Sequence, residues 1–369
     1  MISNELVYQI ALTQVSGIGS KLAKSLIAYC GGVEAVFKEN LRSLQKIPGI
    51  GPSTIRSLSS SQTFNRAEKE LKFMDRNNVS ALFYLNDDYP SRLKLCPDSP
   101  ILLFKKGNFS FLNKNQIAIV GTRMATNYGK TFCSNFIADL KPYNVQVISG
   151  LAYGIDIAAH KEALKNDIET IAVLGHGLDR IYPSSHKKVV EEMIEKGGGL
   201  LTEFLTETNP DRENFPKRNR IVAGVSEAII VVEAAKKGGA LITAEIANTY
   251  NRDVFAIPGK LGDIYSEGCN HLIKINKAAL FTGVNDLEYL LGWEKRKIER
   301  SQIILFPDLN PLEEKIRSFF LESKKKLELE EICNELDLPA SQIVPTLLNL
   351  EIKGLVRSNP GKLFELTSY

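Results

Sequence analysis

From residue 116 onward, short apolar runs rich in β-forming residues alternate with helical stretches: QIAIVG, VQVISG, TIAVLG, GLLTEF, EAIIVVEA and DVFAIP. Runs with so little polar interruption suit strands buried on both faces, and strand–helix alternation predicts a parallel sheet with helices on both sides. The expected fold is α/β, Rossmann-like. In such sheets ligands sit at the carboxyl ends of the strands, and three of those ends are glycine-bearing turns, VGTR, SGLAYG and LGHGLD.

The pattern differs on either side. Near the start, VSGIGSKLAKSL (15–26) and IPGIGPSTIRSL (47–58) repeat an apolar residue, a Gly-Ile-Gly turn and a helical pattern, with their first glycines 32 residues apart. That is the outline of two helix-hairpin-helix units, whose turns leave backbone N–H groups free for a phosphate; plain interhelical turns would give the same pattern. Near the end, helical runs at 311–322, 328–336 and 341–353 precede LVRSNPGKLFEL, two short strands around Asn-Pro-Gly, as in a winged helix. The expected domains are 1–75, helix-hairpin-helix-like; 76–291, Rossmann-like with an N-terminal extension; 292–310, a linker; and 311–369, the winged helix. The third helix of that last module, SQIVPTLLNLEIK, has almost nothing to offer a base edge or a phosphate. It suits a protein partner better than DNA.

Composition changes this picture little: 44% hydrophobic and 24% charged residues are ordinary for a globular chain. Charge does matter. The total is only +3, but residues 1–111 carry 14 Lys and Arg against 9 Asp and Glu, so an anionic partner must be met by a local patch. Five scattered cysteines without a CxxC pair and four histidines without ligand spacing suggest neither disulfides nor a metal. MISNELVYQI lacks a basic leader, and no run of about 18 apolar residues occurs, so the expected location is the cytoplasm, with no membrane.

The candidate chemistry is cationic. GTRMATNYGKT (121–131) contains GKT but has Met124 where a phosphate loop needs its first glycine, which argues against an ATPase. What remains is Arg123 at a strand end beside a helix start near Thr126, well suited to grip a phosphate. Ser149 could add a hydroxyl to the same cradle, whereas His160, on an apolar helix, reads as structural. FPKRNR (215–220), read as the stretch that introduces the helix beginning at Ile221, combines Lys217, Arg218, Asn219 and Arg220 with the flat ring of Phe215. Cations that follow a backbone and a ring that stacks on any base are what single-stranded nucleic acid requires; Phe215 could equally anchor the loop in the core. Lys236, Lys237, Gly238, Gly239 and Lys260 are weaker candidates for phosphate contact.

In their order, IAIVGTRMATNYG, VISGLAYGIDIAAHKEAL, TIAVLGHGLDRIYPSSH, LLTEF, NFPKRNRIVAGVSEAIIVVEAAKKGGALITAEIA and VFAIPGKLGDIYSEGCNHLI resemble the DNA-processing protein A (DprA/Smf) family. The resemblance implies a sequence-independent single-stranded DNA-binding protein without enzymatic activity or cofactor. It further implies protection of incoming DNA in natural transformation, loading of the RecA recombinase, and a homodimer formed through the Rossmann-like domains. Its DNA pocket falls on Arg123, Ser149, Gly150, Phe215, Lys217, Arg218, Asn219 and Arg220. Two departures stand out: Asn251 where the family often has glycine, and NKAALF in place of a usual Gly-Ala. The rival reading is a nucleotide-processing, phosphoribohydrolase-like enzyme, for which KGGALITAE offers Glu245 as the carboxylate in register.

Overall fold

The computed structural model describes residues 4–58, 60–295, 309–323 and 326–366. The chain divides into two compact units, residues 1–296 and 297–369.

The first unit opens with six helices: α1 (Asn4–Thr13), α2 (Ser20–Cys30), α3 (Val33–Lys38), α4 (Leu41–Leu44), α5 (Pro52–Leu58) and α6 (Ser61–Asn77). The two Gly-Ile-Gly turns bend through Gly17 and Gly49, at φ of 84° and 91°, where a side chain would be strained. A Cβ on Gly17 would lie 3.0 Å from the Thr54 hydroxyl, and one on Gly49 would lie 3.5 Å from Leu22. The 32-residue offset of the repeat maps Gly17 onto Gly49 and Leu22 onto Thr54, so each hairpin rests its turn on the second helix of the other, a pseudo-twofold pair.

Nine strands follow among the described residues: β1 (Val79–Phe83), β2 (Leu102–Gly107), β3 (Asn115–Val120), β4 (Val145–Ser149), β5 (Thr170–Val173), β6 (Gly199–Thr202), β7 (Ala228–Val231), β8 (Asp253–Ala256) and β9 (Ala279–Leu280). They form one sheet in the order β1-β2-β6-β5-β4-β3-β7-β8-β9. From β6 to β9 all neighbours are parallel. At one edge β2 joins β6 antiparallel, and β1 joins β2 likewise. Thus the six apolar runs are the central strands, and the antiparallel pair is an addition that their pattern did not announce. The intervening helices are α7 (Ser91–Lys94), α8 (Asn127–Asp139), α9 (Ile155–Lys165), α10 (Lys187–Glu195), α11 (Asn214–Val225), α12 (Gly239–Thr249), α13 (Glu267–Lys274) and α14 (Val284–Leu291). Asn251 and Asn276 both adopt left-handed φ, 54° and 55°, so asparagine, which tolerates that region, keeps the turns that glycine would make.

The second unit holds α15 (Pro311–Ser323), β10 (Leu327–Glu328), α16 (Leu329–Leu336), α17 (Ala340–Ile352), β11 (Val356–Asn359) and β12 (Leu363–Leu366), with the strands ordered β10-β12-β11. This is a winged helix. Its α17 exposes Val344, Leu348 and Ile352 to solvent. Of the stretch expected to act as a linker, 296–308 lies outside the described residues; Trp293 packs into the first unit, its indole N–H 3.3 Å from Glu227.

Candidate nucleic-acid interface

The chain leaves β3 in one direction along the sheet, through β4, β5 and β6, and then returns to lay β7 on the other side of β3. At this switch point the loops after β3 and β7 diverge and leave a crevice. A hollow of about 310 Å³ lies there, lined among others by Arg123, Asp156, Phe215, Arg218, Asn219 and Lys237.

FPKRNR is not the approach to a helix but its first turns, because α11 begins at Asn214. Successive side chains are therefore rotated by about 100°, and the hexapeptide divides. Phe215, Arg218, Asn219 and Val222, spaced i, i+3, i+4 and i+7, line the hollow. Lys217 and Arg220 line a separate cavity of about 750 Å³, shared with Ile18, Gly19, Ser20 and Lys21 of the first helix-hairpin-helix turn. Arg123 and Lys217 do not meet in one basin.

Arg218 is 6% exposed, and its Nε–H has no hydrogen-bond partner among the described residues. Its guanidinium lies against the α-carbon of Gly150, where a Cβ would overlap Nη1, so only glycine leaves it room. Burial pulls the Arg218 pKa down, Asp156 pulls it back up, and Arg123 adds a like charge that lowers it. An arginine starts so far above neutrality that it stays cationic. Burying a guanidinium with an unused donor is costly.

Arg123 is exposed, and its guanidinium lies 5.5 Å from the centroid of the Phe215 ring, a cation–π contact. The ring is half-buried. It faces the Gly175 turn, where a Cβ would come within 3.2 Å of Cδ1, and Tyr182 at 6.4 Å. Phe215 therefore both anchors α11 and presents a partly accessible ring.

Three backbone amides beside the hollow, those of Thr126, Gly150 and Ala152, are taken by two carboxylates that carry no signal in the sequence pattern. Glu233, 1% exposed, follows β7 and accepts from the Thr126 amide at 2.9 Å and the Thr126 hydroxyl at 2.5 Å, holding the amino end of α8. Asp156 accepts from the amides of Gly150 at 3.1 Å and Ala152 at 3.3 Å. Burial raises the Asp156 pKa, opposed by Arg218 and those amides. The amino end of α12 is different: a Cβ on Gly238 or Gly239 would meet nothing within 4 Å, and both glycines border the hollow beside exposed Lys237. The Asn219 amide donates to the Gly239 carbonyl at 3.4 Å and steadies that end.

The remaining candidates lie elsewhere. Ser149 is fully buried and donates to the Ile119 carbonyl at 2.6 Å, a strand-end tie beneath the hollow. Arg220 is ion-paired with Glu203 and donates to the Asp98 carbonyl. Lys217, Lys236 and Lys260 are exposed, and the latter two do not border the hollow. His160 is a core residue: Thr170 donates its hydroxyl to the Val147 carbonyl and so accepts a hydrogen bond from Nδ1–H at 2.7 Å, while burial lowers the His160 pKa to about 3. Glu245, the carboxylate on which the enzymatic reading depends, is bound to Lys277 at 2.6 Å and does not line the hollow.

Together these features define an α/β protein with a cation-lined switch-point hollow, preceded along the chain by a helix-hairpin-helix module and followed by a winged helix. The family model described as DNA recombination-mediator protein A matches residues 80–291, a SAM-like helix-hairpin-helix tandem matches 10–61, and a DprA winged helix domain matches 307–362. Protein Smf of Synechocystis is 32% identical over 99% of this chain and 100% of its own length. The X-ray structure of DNA processing protein A from Streptococcus pneumoniae superposes with a TM-score of 0.62 at 32% identity, covering 79% of this chain and 99% of that one. DNA processing protein A from Helicobacter pylori, solved in a study of its single-stranded DNA binding mode, gives 0.52 at 28% identity over 58% and 97%. The chain belongs to the DNA-processing protein A (DprA/Smf) family.

Proposed function

We propose that this chain binds single-stranded DNA irrespective of sequence, and that the switch-point hollow is where it does so. The observation that carries the reading is Arg218, a buried guanidinium in the wall of a hollow that Arg123 and Lys237 also border, whose Nε–H has no partner among the described residues. A phosphate there takes charge-assisted hydrogen bonds from Arg218 and N–H groups at the amino end of α12. Arg123 then turns from the Phe215 ring to the backbone, leaving the ring for a base; stacking of this kind is indifferent to base identity. Gly150 and Ser149 serve by position, one leaving room for Arg218 and the other fixing the strand end.

The wider role is protection of incoming DNA and delivery of RecA to it during transformation, by a cytoplasmic homodimer with no chemical step of its own. The names of the relatives support the DNA-processing part of this reading, and the placement of Glu245 outside the hollow favours binding over nucleotide hydrolysis.

The test is anisotropy of labelled oligo-dT across a salt series. Binding should weaken as salt rises, and Arg123→Ala should weaken it about tenfold and flatten the slope of log K against log salt by about 0.7, one phosphate contact on a single strand. Wild-type protein that fails to bind, or an unchanged slope in the variant, would remove Arg123 from the path.

A further inference from the structure

A second, larger hollow of about 910 Å³ lies between the amino-terminal parts of α8 and α9, and Arg123 lines it as well as the first. Two more cations border it, Lys130 and Lys161, both exposed and neither in an ion pair among the described residues. Its one acid, Glu162, is engaged by the Ser134 hydroxyl at 3.0 Å and by Lys165 at 3.5 Å. The walls are apolar and aromatic: Tyr153 is 50% exposed and Met124 67%. An exposed tyrosine usually moves freely, but this one is held, with its ring edge-on to His186 at 5.0 Å and its hydroxyl 3.4 Å from that of Ser185. The turn that carries it is pressed onto the Arg123 strand end. Gly154 has φ of 80°, a Cβ there would overlap the Thr122 carbonyl, and the Ile155 amide donates to that carbonyl at 3.1 Å. The backbones that carry Tyr153 and Arg123 are thereby fixed relative to each other.

We infer that the second hollow receives the nucleotides that follow those held at the switch point, with Tyr153 as a base platform and Lys130 and Lys161 on the phosphates. This rests on the single-stranded DNA reading above and extends it from one pocket to a track that turns at Arg123. Charge selects the occupant: unpaired cations around an apolar wall suit a polyanion with exposed bases, whereas a second copy of the chain laid on this face would set the same cations against themselves.

The experiment compares a tetranucleotide and a dodecanucleotide of thymidylate, by anisotropy at one salt concentration, in wild type, Tyr153→Ala, Tyr153→Phe and the double variant Lys130→Ala/Lys161→Ala. Wild type should bind the longer strand more tightly, by more than the added length gives statistically. Tyr153→Ala and the lysine pair should lose about tenfold on the dodecamer while keeping tetramer affinity, and Tyr153→Phe should restore the dodecamer value, because stacking needs the ring and not the hydroxyl. Wild-type dodecamer affinity in both the alanine and the lysine variants would overturn the track, as would a change in their sedimenting mass without a change in DNA affinity. Failure of wild type to bind either oligonucleotide would instead be failure of the parent reading.

Discussion

The two faces of α11 carry the same kinds of residue and meet opposite fates. On one face Arg218 is buried, in no ion pair among the described residues and held over Gly150; on the other Arg220, partly buried, is bound to Glu203 and the Asp98 carbonyl. Two positions along one helix separate a cation available to a ligand from a cation consumed by the fold. The lesson is that a cluster of basic residues does not define a binding surface; what defines it is which of those residues the surrounding carboxylates leave unsatisfied.

The comparison can be broken most severely from the Arg218 side without touching its charge. Gly150→Ala places a methyl group where Nη1 lies, so the guanidinium must give up its position over Gly150. Affinity for oligo-dT should fall by about a hundredfold, the value of a charge-assisted hydrogen-bonded contact. Titration of a variant shown by circular dichroism to be folded checks this.

On the Arg220 side the expected loss is of stability, not of binding. Arg220→Ala leaves Glu203 largely buried and without its partner, and a urea melt should show a loss of about 2 kcal/mol at neutral pH, with affinity within about twofold of wild type. The deficit should depend on pH. Burial already raises the Glu203 pKa, and Arg220 opposes the rise; without the arginine it climbs further. A carboxyl whose folded pKa exceeds its unfolded value opposes folding while ionised and ceases to do so as pH falls through the folded pKa. The gap between variant and wild type should therefore be widest at neutral pH and shrink on acidification. A gap that widens in acid would contradict the pairing.

The smallest effect belongs to Lys217, exposed at the rim of the cavity beside the first helix-hairpin-helix turn. Lys217→Ala should cost about threefold in oligo-dT affinity, a screened long-range contribution, with no change in melting. A loss as large as that of Gly150→Ala would mean that the strand crosses α11 and that the two faces act together.

Much of this was legible in advance. The six central strands could be read because each is a nearly unbroken apolar run, and the two hairpin turns because glycine marks them. The antiparallel edge carries no such signal: β2 ends in Lys105-Lys106-Gly107, and β1 is interrupted by Ser80. At the site, the residue types could be read but not their division. The apolar periodicity of α11 starts only at Ile221, so the polar first turns looked like a loop, and a loop gives no reason to send Lys217 and Arg218 apart. Asp156 and Glu233 had no signal at all, since an isolated acid in an apolar motif does not reveal which amides it will face.

The most direct measurement is the affinity of Arg218→Ala for oligo-dT, taken beside Arg220→Ala in the same buffer. Loss of binding by about two orders of magnitude in the first, with near-wild-type binding in the second, is the expected result. Equal affinities in the two folded variants would contradict the claim that the unsatisfied guanidinium, and not the basic cluster, holds the strand.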